Sequence, residues 1–172
     1  ENISDEQVLS QIEVLNQDYR RKNPDQDQTP REFRNRASDT HVEFCMAKQD
    51  PDGNPTNGIN RVSFSGSPFS EQYINEVIKP STVWDPNRYF NIWVCHIADE
   101  ILGFAQFPVS SQVSGIPIGS TSANTDGVVI TFTAFGTIGT ASAPFNGGRT
   151  ATHEIGHWLG LRHIWGDGDC DV

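Results

Sequence analysis

His157 and His163 are six positions apart, and that interval constrains this 172-residue chain more than any other feature. They belong to the segment His153-Glu154-Ile155-Gly156-His157-Trp158-Leu159-Gly160-Leu161-Arg162-His163, whose spacing is H-E-x-x-H-x-x-G-x-x-H. On a helix turning about 100° per residue, His153 and His157 lie one turn apart on one face. On the same helix continued, His163 would point away from that face, roughly 9 Å further along the axis. The three rings can converge only if the helix stops and the chain folds back. Gly160 permits this, because glycine enters the left-handed conformation that ends helices at little steric cost.

Three converging neutral imidazoles leave one position of a tetrahedral zinc open, the arrangement of a catalytic site. Zinc so held lowers the pKa of a bound water to roughly 7 and polarises a carbonyl. Glu154, beside the first ligand, is then placed to act as general base on the zinc-bound water and to return the proton to a leaving amine. Ile155, Trp158 and Leu159 fall on other faces, where core packing is expected. The other completion of H-E-x-x-H, a glutamate ligand on a second helix, finds no residue: nine follow His163 and none is Glu. His41 and His96 sit in strand-like runs and read as structural.

A chain of this length can build one domain with a real core. Its 12 basic and 22 acidic residues give a formal charge of −10, which disfavours nucleic acid and anionic membranes and weakly favours cationic peptides and calcium. There is no apolar run of the ~18 residues a membrane span needs. Residues 1–20 lack the basic-then-apolar pattern of a signal peptide, so an exported protein is expected here in processed form. Cys45, Cys95 and Cys170 show no C-x-x-C pairing. Cys45 and Cys95 lie in strand-like segments where buried thiols or a bridge both fit, whereas Cys170 lies in a polar loop.

Ser4 and Gln7 read as a capping box, followed by Val8, Ile12, Leu15 and Tyr19 at helical spacing. Val42, Phe44 and Met46 alternate with polar neighbours as in a half-buried strand. Residues 50–58 have the glycine in the wrong place for a calcium loop, and Arg61 stands where the bidentate glutamate belongs, so a plain turn is expected. Residues 69–79 read as a helix stopped by Pro80. Residues 88–98, apolar on both faces, read as a central strand. Residues 102–107 read as a short strand at the sheet edge, and 127–135 as another strand. A glycine-rich loop, 136–148, leads into a helix starting near Arg149.

The segments Asn91-Ile92-Trp93-Val94-Cys95, Thr125-Asp126-Gly127-Val128-Val129-Ile130, Thr152 to His163, and Trp165-Gly166-Asp167-Gly168-Asp169-Cys170 resemble the pappalysin family of metzincin metallopeptidases, most like its microbial secreted members. The resemblance implies an α/β fold: a metzincin-like upper subdomain with a twisted, mostly parallel sheet, a backing helix and an active-site helix. It further implies a secreted zinc endopeptidase acting on proteins or peptides, cutting beside basic residues and binding structural calcium. His153, His157 and His163 match the family's zinc ligands and Glu154 its base, while Asp167, Asp169 and Asp171 are the calcium candidates. One departure stands out. Metzincins carry a methionine turn downstream of the third histidine, yet the only methionine is Met46. Residues 1–172 are therefore expected to be the upper part of one catalytic domain. The lower subdomain would be absent from this chain and supplied by a second polypeptide. The alternative is an inactive zinc- and calcium-binding autolysis fragment.

Overall fold

The computed structural model describes residues 2–107 and 122–163. Chain order begins with helix α1 (Asp5–Tyr19) and continues with a helical run made of α2 (Glu71–Tyr73), a π turn (Ile74–Ile78) and α3 (Lys79–Thr82). Strands β1 (Ile92–Cys95), β2 (Gly103–Ala105) and β3 (Val128–Thr131) follow, then helix α4 (Arg149–Trp158). The architecture is a small mixed α/β sandwich. Among the described residues the sheet order is β1-β3-β2, with β1 parallel and β2 antiparallel to β3.

The central strand is thus β3 rather than the 88–98 segment, of which only four residues form a strand. All four β3 residues are buried, and successive ones serve opposite layers as the pleat dictates. Val128 and Ile130 pack with Leu15, Tyr19, Ala151 and Ile155 beneath α1 and α4. Val129 packs with Phe69, Ile74, Ile78 and Ile97 on the other face. A strand flanked on both sides is covered whatever its length, and a short β1 is half-buried. The 127–135 strand ends early, at Thr131, and turns into a 3-10 turn at Phe132–Ala134.

Other segments differ in instructive ways. Pro80 does not stop the second helix, which runs to Thr82. The π turn directs the Lys79 N–H to Ile74 O, and Pro80 then stands in the first turn of α3, where its missing N–H costs nothing. Residues 42–46 keep the alternating burial of a strand but pair with no described strand. Instead the Asn16 side chain donates to Phe44 O at 3.0 Å and accepts from Phe44 N at 2.8 Å, so one amide takes the place of a ladder. Residues 50–54 form the expected plain turn, Asp50 Oδ1 accepting from Asn54 N at 2.8 Å. Cys45 and Cys95 are free thiols.

Ser4 caps α1 by accepting from Gln7 N at 3.1 Å, yet the Gln7 side chain does not return to Ser4. It goes into the core. Gln7 and Gln11 are 1% and 0% exposed, while Val8 and Ile12 are only partly buried. Gln7 Nε2 bonds Phe135 O at 2.8 Å and Phe132 O at 3.1 Å. Gln11 accepts from Gly136 N at 2.7 Å and donates to Gly148 O at 2.9 Å. One amide therefore closes both ends of the 136–148 loop, and α4 starts at Arg149 against it, where the sequence places the helix start.

Candidate metal centre

Helix α4 runs from Arg149 to Trp158, then stops at Leu159. Gly160 has φ +87, Gly160 N–H donates to His157 O at 2.8 Å, and Leu161 N–H donates to Gly156 O at 2.9 Å. This bond pair is the Schellman termination, and it brings His163 back over the helix. Substituting Ala at Gly160 forces a side chain into the left-handed region, at a cost of about 1–2 kcal/mol. We expect Gly160→Ala to weaken zinc binding roughly tenfold, with Gly160→Asn recovering part of the loss. Competition with a chromophoric chelator measures both variants.

The three rings meet through their Nε2 atoms. His153 and His157 are 3.0 Å apart there, and each is 3.1 Å from His163. A tetrahedral zinc with bonds of about 2.0–2.1 Å needs its ligand nitrogens roughly 3.3 Å apart. The observed triangle is within a few tenths of an ångström of that, so the donor set fits zinc. His157 Nδ1 lies 2.8 Å from Leu161 O. A carbonyl only accepts, so Nδ1 carries the proton and Nε2 keeps its lone pair for a metal. Burial, followed by the two neighbouring imidazoles, lowers the pKa of His153, which favours the neutral ring a metal requires.

Glu154 is 9% exposed, its stem packed against β2 at Gly103. Burial raises its pKa, partly opposed by His157 and His163. A carboxylate poorly solvated in this way is a better proton acceptor than one in water. Ile155 is fully buried and Trp158 packs on the core, but Leu159 is 42% exposed, because the helix has ended before it.

Polar contacts from α1 and the loop before β3 fix the helix along its length. Tyr19 donates to Thr152 O at 3.1 Å, and Thr152 Oγ1 donates to Asp18 Oδ2 at 2.7 Å. Arg149 bridges Asp18 and Asp25 at 3.1 and 2.7 Å. Trp158 Nε1 donates to Asp126 Oδ1 at 2.6 Å. A cleft of about 300 Å³ opens beside the rings, lined by Tyr19, Thr40, His153, His157 and Leu161 among others. A larger groove of about 490 Å³ along the outside of α1 holds no comparable set of donors.

His153, His157 and His163 are thus brought together, while His41 and His96 stay outside the cluster. Asp167, Asp169 and Asp171, like Cys170, lie outside the described residues. The supporting roles of Gln7, Gln11, Asp18 and Asp126 were not legible in the sequence, where Gln7 reads only as part of a capping box and Asp126 only as part of a matching segment. The one available signal was two glutamines four apart on a helix whose apolar stripe is thin.

The chain resembles known proteins along most of its length. It is 33% identical over 166 residues to an extracellular metalloprotease of Verticillium alfalfae, covering 96% of this chain and 46% of that one. A second extracellular metalloprotease, from Pyricularia oryzae, is 29% identical over 170 residues, covering 98% and 46% respectively. Mature mirolysin of Tannerella forsythia, solved in complex with a cleaved peptide, superposes with a TM-score of 0.84 at 51% identity, covering 96% of this chain and 60% of that one. The chain therefore spans about half the length of these curated relatives. The family model described as pregnancy-associated plasma protein-A matches residues 71–172. With that match spanning the helix, the turn and the three histidines, the chain belongs to the pregnancy-associated plasma protein-A family of metallopeptidases, the pappalysins.

Proposed function

We propose that this chain is the upper part of the catalytic domain of a secreted zinc endopeptidase. The observation that carries the reading is the three-nitrogen cluster, 3.0–3.1 Å on each side, with Glu154 adjoining it on the same helix. His153, His157 and His163 would hold the metal. Zinc, when bound, supplies Lewis acidity to the scissile carbonyl and acidifies the attacking water. Glu154 takes the proton of that water and carries it to the leaving amine. His157, its tautomer set by Leu161 O, keeps its donor atom aimed at the site.

Substrate binding follows from the sheet. β2 pairs with β3 on one side, and among the described residues its other edge carries no strand. An extended peptide can add there through backbone hydrogen bonds, which suits cleavage within a chain rather than at its ends. A net charge of −10 favours cationic peptides, in line with cutting beside basic residues. Extracellular action is supported by the names of the relatives. Among the described residues no helix is long and apolar enough to cross a membrane. Structural calcium, with Asp167, Asp169 and Asp171 as ligands, and further polypeptide completing the domain are parts of the same proposal.

The metal is tested first. A crystal of the zinc-loaded protein should give one anomalous peak at the zinc edge, about 2.0–2.1 Å from each of the three Nε2 atoms. No peak among them would end the metallopeptidase reading.

A further inference from the structure

Gly103 opens β2, opposite Ile130 of β3, and its φ is not in the left-handed region, so its backbone could accommodate any residue. Space is what it lacks. A Cβ placed there would lie 2.9 Å from Val129 O, 3.0 Å from Glu154 Cγ and 3.0 Å from Ile130 Cδ1. Ordinary contacts between carbon atoms are about 3.5–4.0 Å. A glycine inside a strand often marks such a close approach of another element. Here that element is the stem of Glu154.

We propose that Gly103 is a positioning residue for Glu154: its missing side chain lets α4 lie on the edge strand, so that the Glu154 carboxylate is held beside the strand to which substrate adds. The catalytic half rests on the endopeptidase reading; the packing half does not. The strand itself cannot yield freely. Thr131 N–H donates to Leu102 O at 2.8 Å on one side of Gly103, and Gln106 N–H donates to Gly127 O at 3.3 Å on the other. Val129 O belongs to the fully buried central strand. Of the three atoms a methyl would strike, Val129 O is fixed backbone and Ile130 is fully enclosed in the core, so the longer, unbranched Glu154 stem is the one that yields and the methyl displaces the carboxylate. A peptide paired to β2 would lie one strand spacing away, about 4.8 Å. A displacement of even 1 Å in the group taking the water proton is then a large fraction of the distance that matters.

The test uses the full-length protein and two readouts. Gly103→Ala should lower kcat tenfold or more with KM changed less than about twofold and one zinc retained per chain, since neither the proposed ligands nor the backbone edge of β2 is altered. Thermal unfolding is read for Gly103→Ala alone and on a Glu154→Ala background. The methyl should lower Tm by roughly 5 °C in the parent and by less than half of that once the Glu154 stem is gone. Equal losses on both backgrounds, or a failure to fold on both, overturn the proposal, as does full activity of Gly103→Ala. If Gly103→Ala fails to fold but folds when Glu154→Ala is added, the contact is upheld. Coupled stabilities in a parent that cleaves no peptide would uphold the contact and sink the endopeptidase reading instead.

Discussion

Glu154→Ala in the full-length protein is expected to keep one zinc per chain and to lose about 10²–10⁴ in kcat. The two halves of that outcome come from different atoms. On the proposed reading zinc would be held by the three imidazole nitrogens and not by Glu154, on a helix whose ends are fixed by Gln11, Trp158 and the Gly160 turn. The proton, by contrast, would go to the carboxylate of Glu154, buried on the same helix. Metal analysis and steady-state kinetics on one preparation separate the two. Activity within a few-fold of the parent would mean that another group takes the proton. Loss of zinc would mean that Glu154 supports the ligands rather than the reaction.

The second large effect concerns Lys79, a lysine that is 1% exposed. Its Nζ donates to Thr125 O at 3.3 Å and lies 4.8 Å from the Phe104 ring centre and 5.3 Å from that of Trp93. Burial pushes its pKa down from 10.5 to about 8, against the weaker pull of Glu71 and Asp126 in the other direction. A base whose folded pKa is depressed binds its proton less readily when folded. Below about pH 8 both states are protonated and the folded state bears the full penalty. Between about 8 and 10.5 the folded state sheds the proton first, so stability rises with pH, and above 10.5 the penalty is gone.

Lys79→Met keeps the buried stem and removes the titrating group. Its stability relative to the parent should fall by on the order of 3 kcal/mol between pH 7 and pH 10.5. The absolute offset at either pH also contains the lost bond to Thr125 O and the ring contacts, so the change with pH is the quantity to measure. Denaturant titrations of both proteins at the two pH values give it. A difference that stays constant with pH would show that the ammonium is solvated in the folded protein.

Legibility from sequence followed the range of the interactions. The helix start at Arg149, the stop at Gly160 and the convergence of three histidines could be read directly, because all lie within the fifteen residues from Arg149 to His163. The first helix could be read too, but not its buried face. Gln7 and Gln11 look like solvent-facing residues until one knows that loop 136–148, more than a hundred residues away in sequence, presents unpaired carbonyls and N–H groups to them. Residues 42–46 carried a true alternation and still formed no strand, since a ladder needs a partner and Asn16 took its place.

What the sequence determined by itself was therefore the chemistry. A 3.6-residue period and one glycine dictate which nitrogens can meet, and the carboxylate beside His153 is where the proton would go on the proposed reading. What only the tertiary structure decided was the support around it. β3 rather than β1 became the central strand because β2, though earlier in the chain, pairs with it from the far side. Gly103 came to face Glu154, and Lys79 came to be enclosed by Phe104 and Trp93, through that same pairing. Such contacts join residues through space at separations no local pattern encodes. Their energies come from burial and packing density, which exist only once the layers have closed.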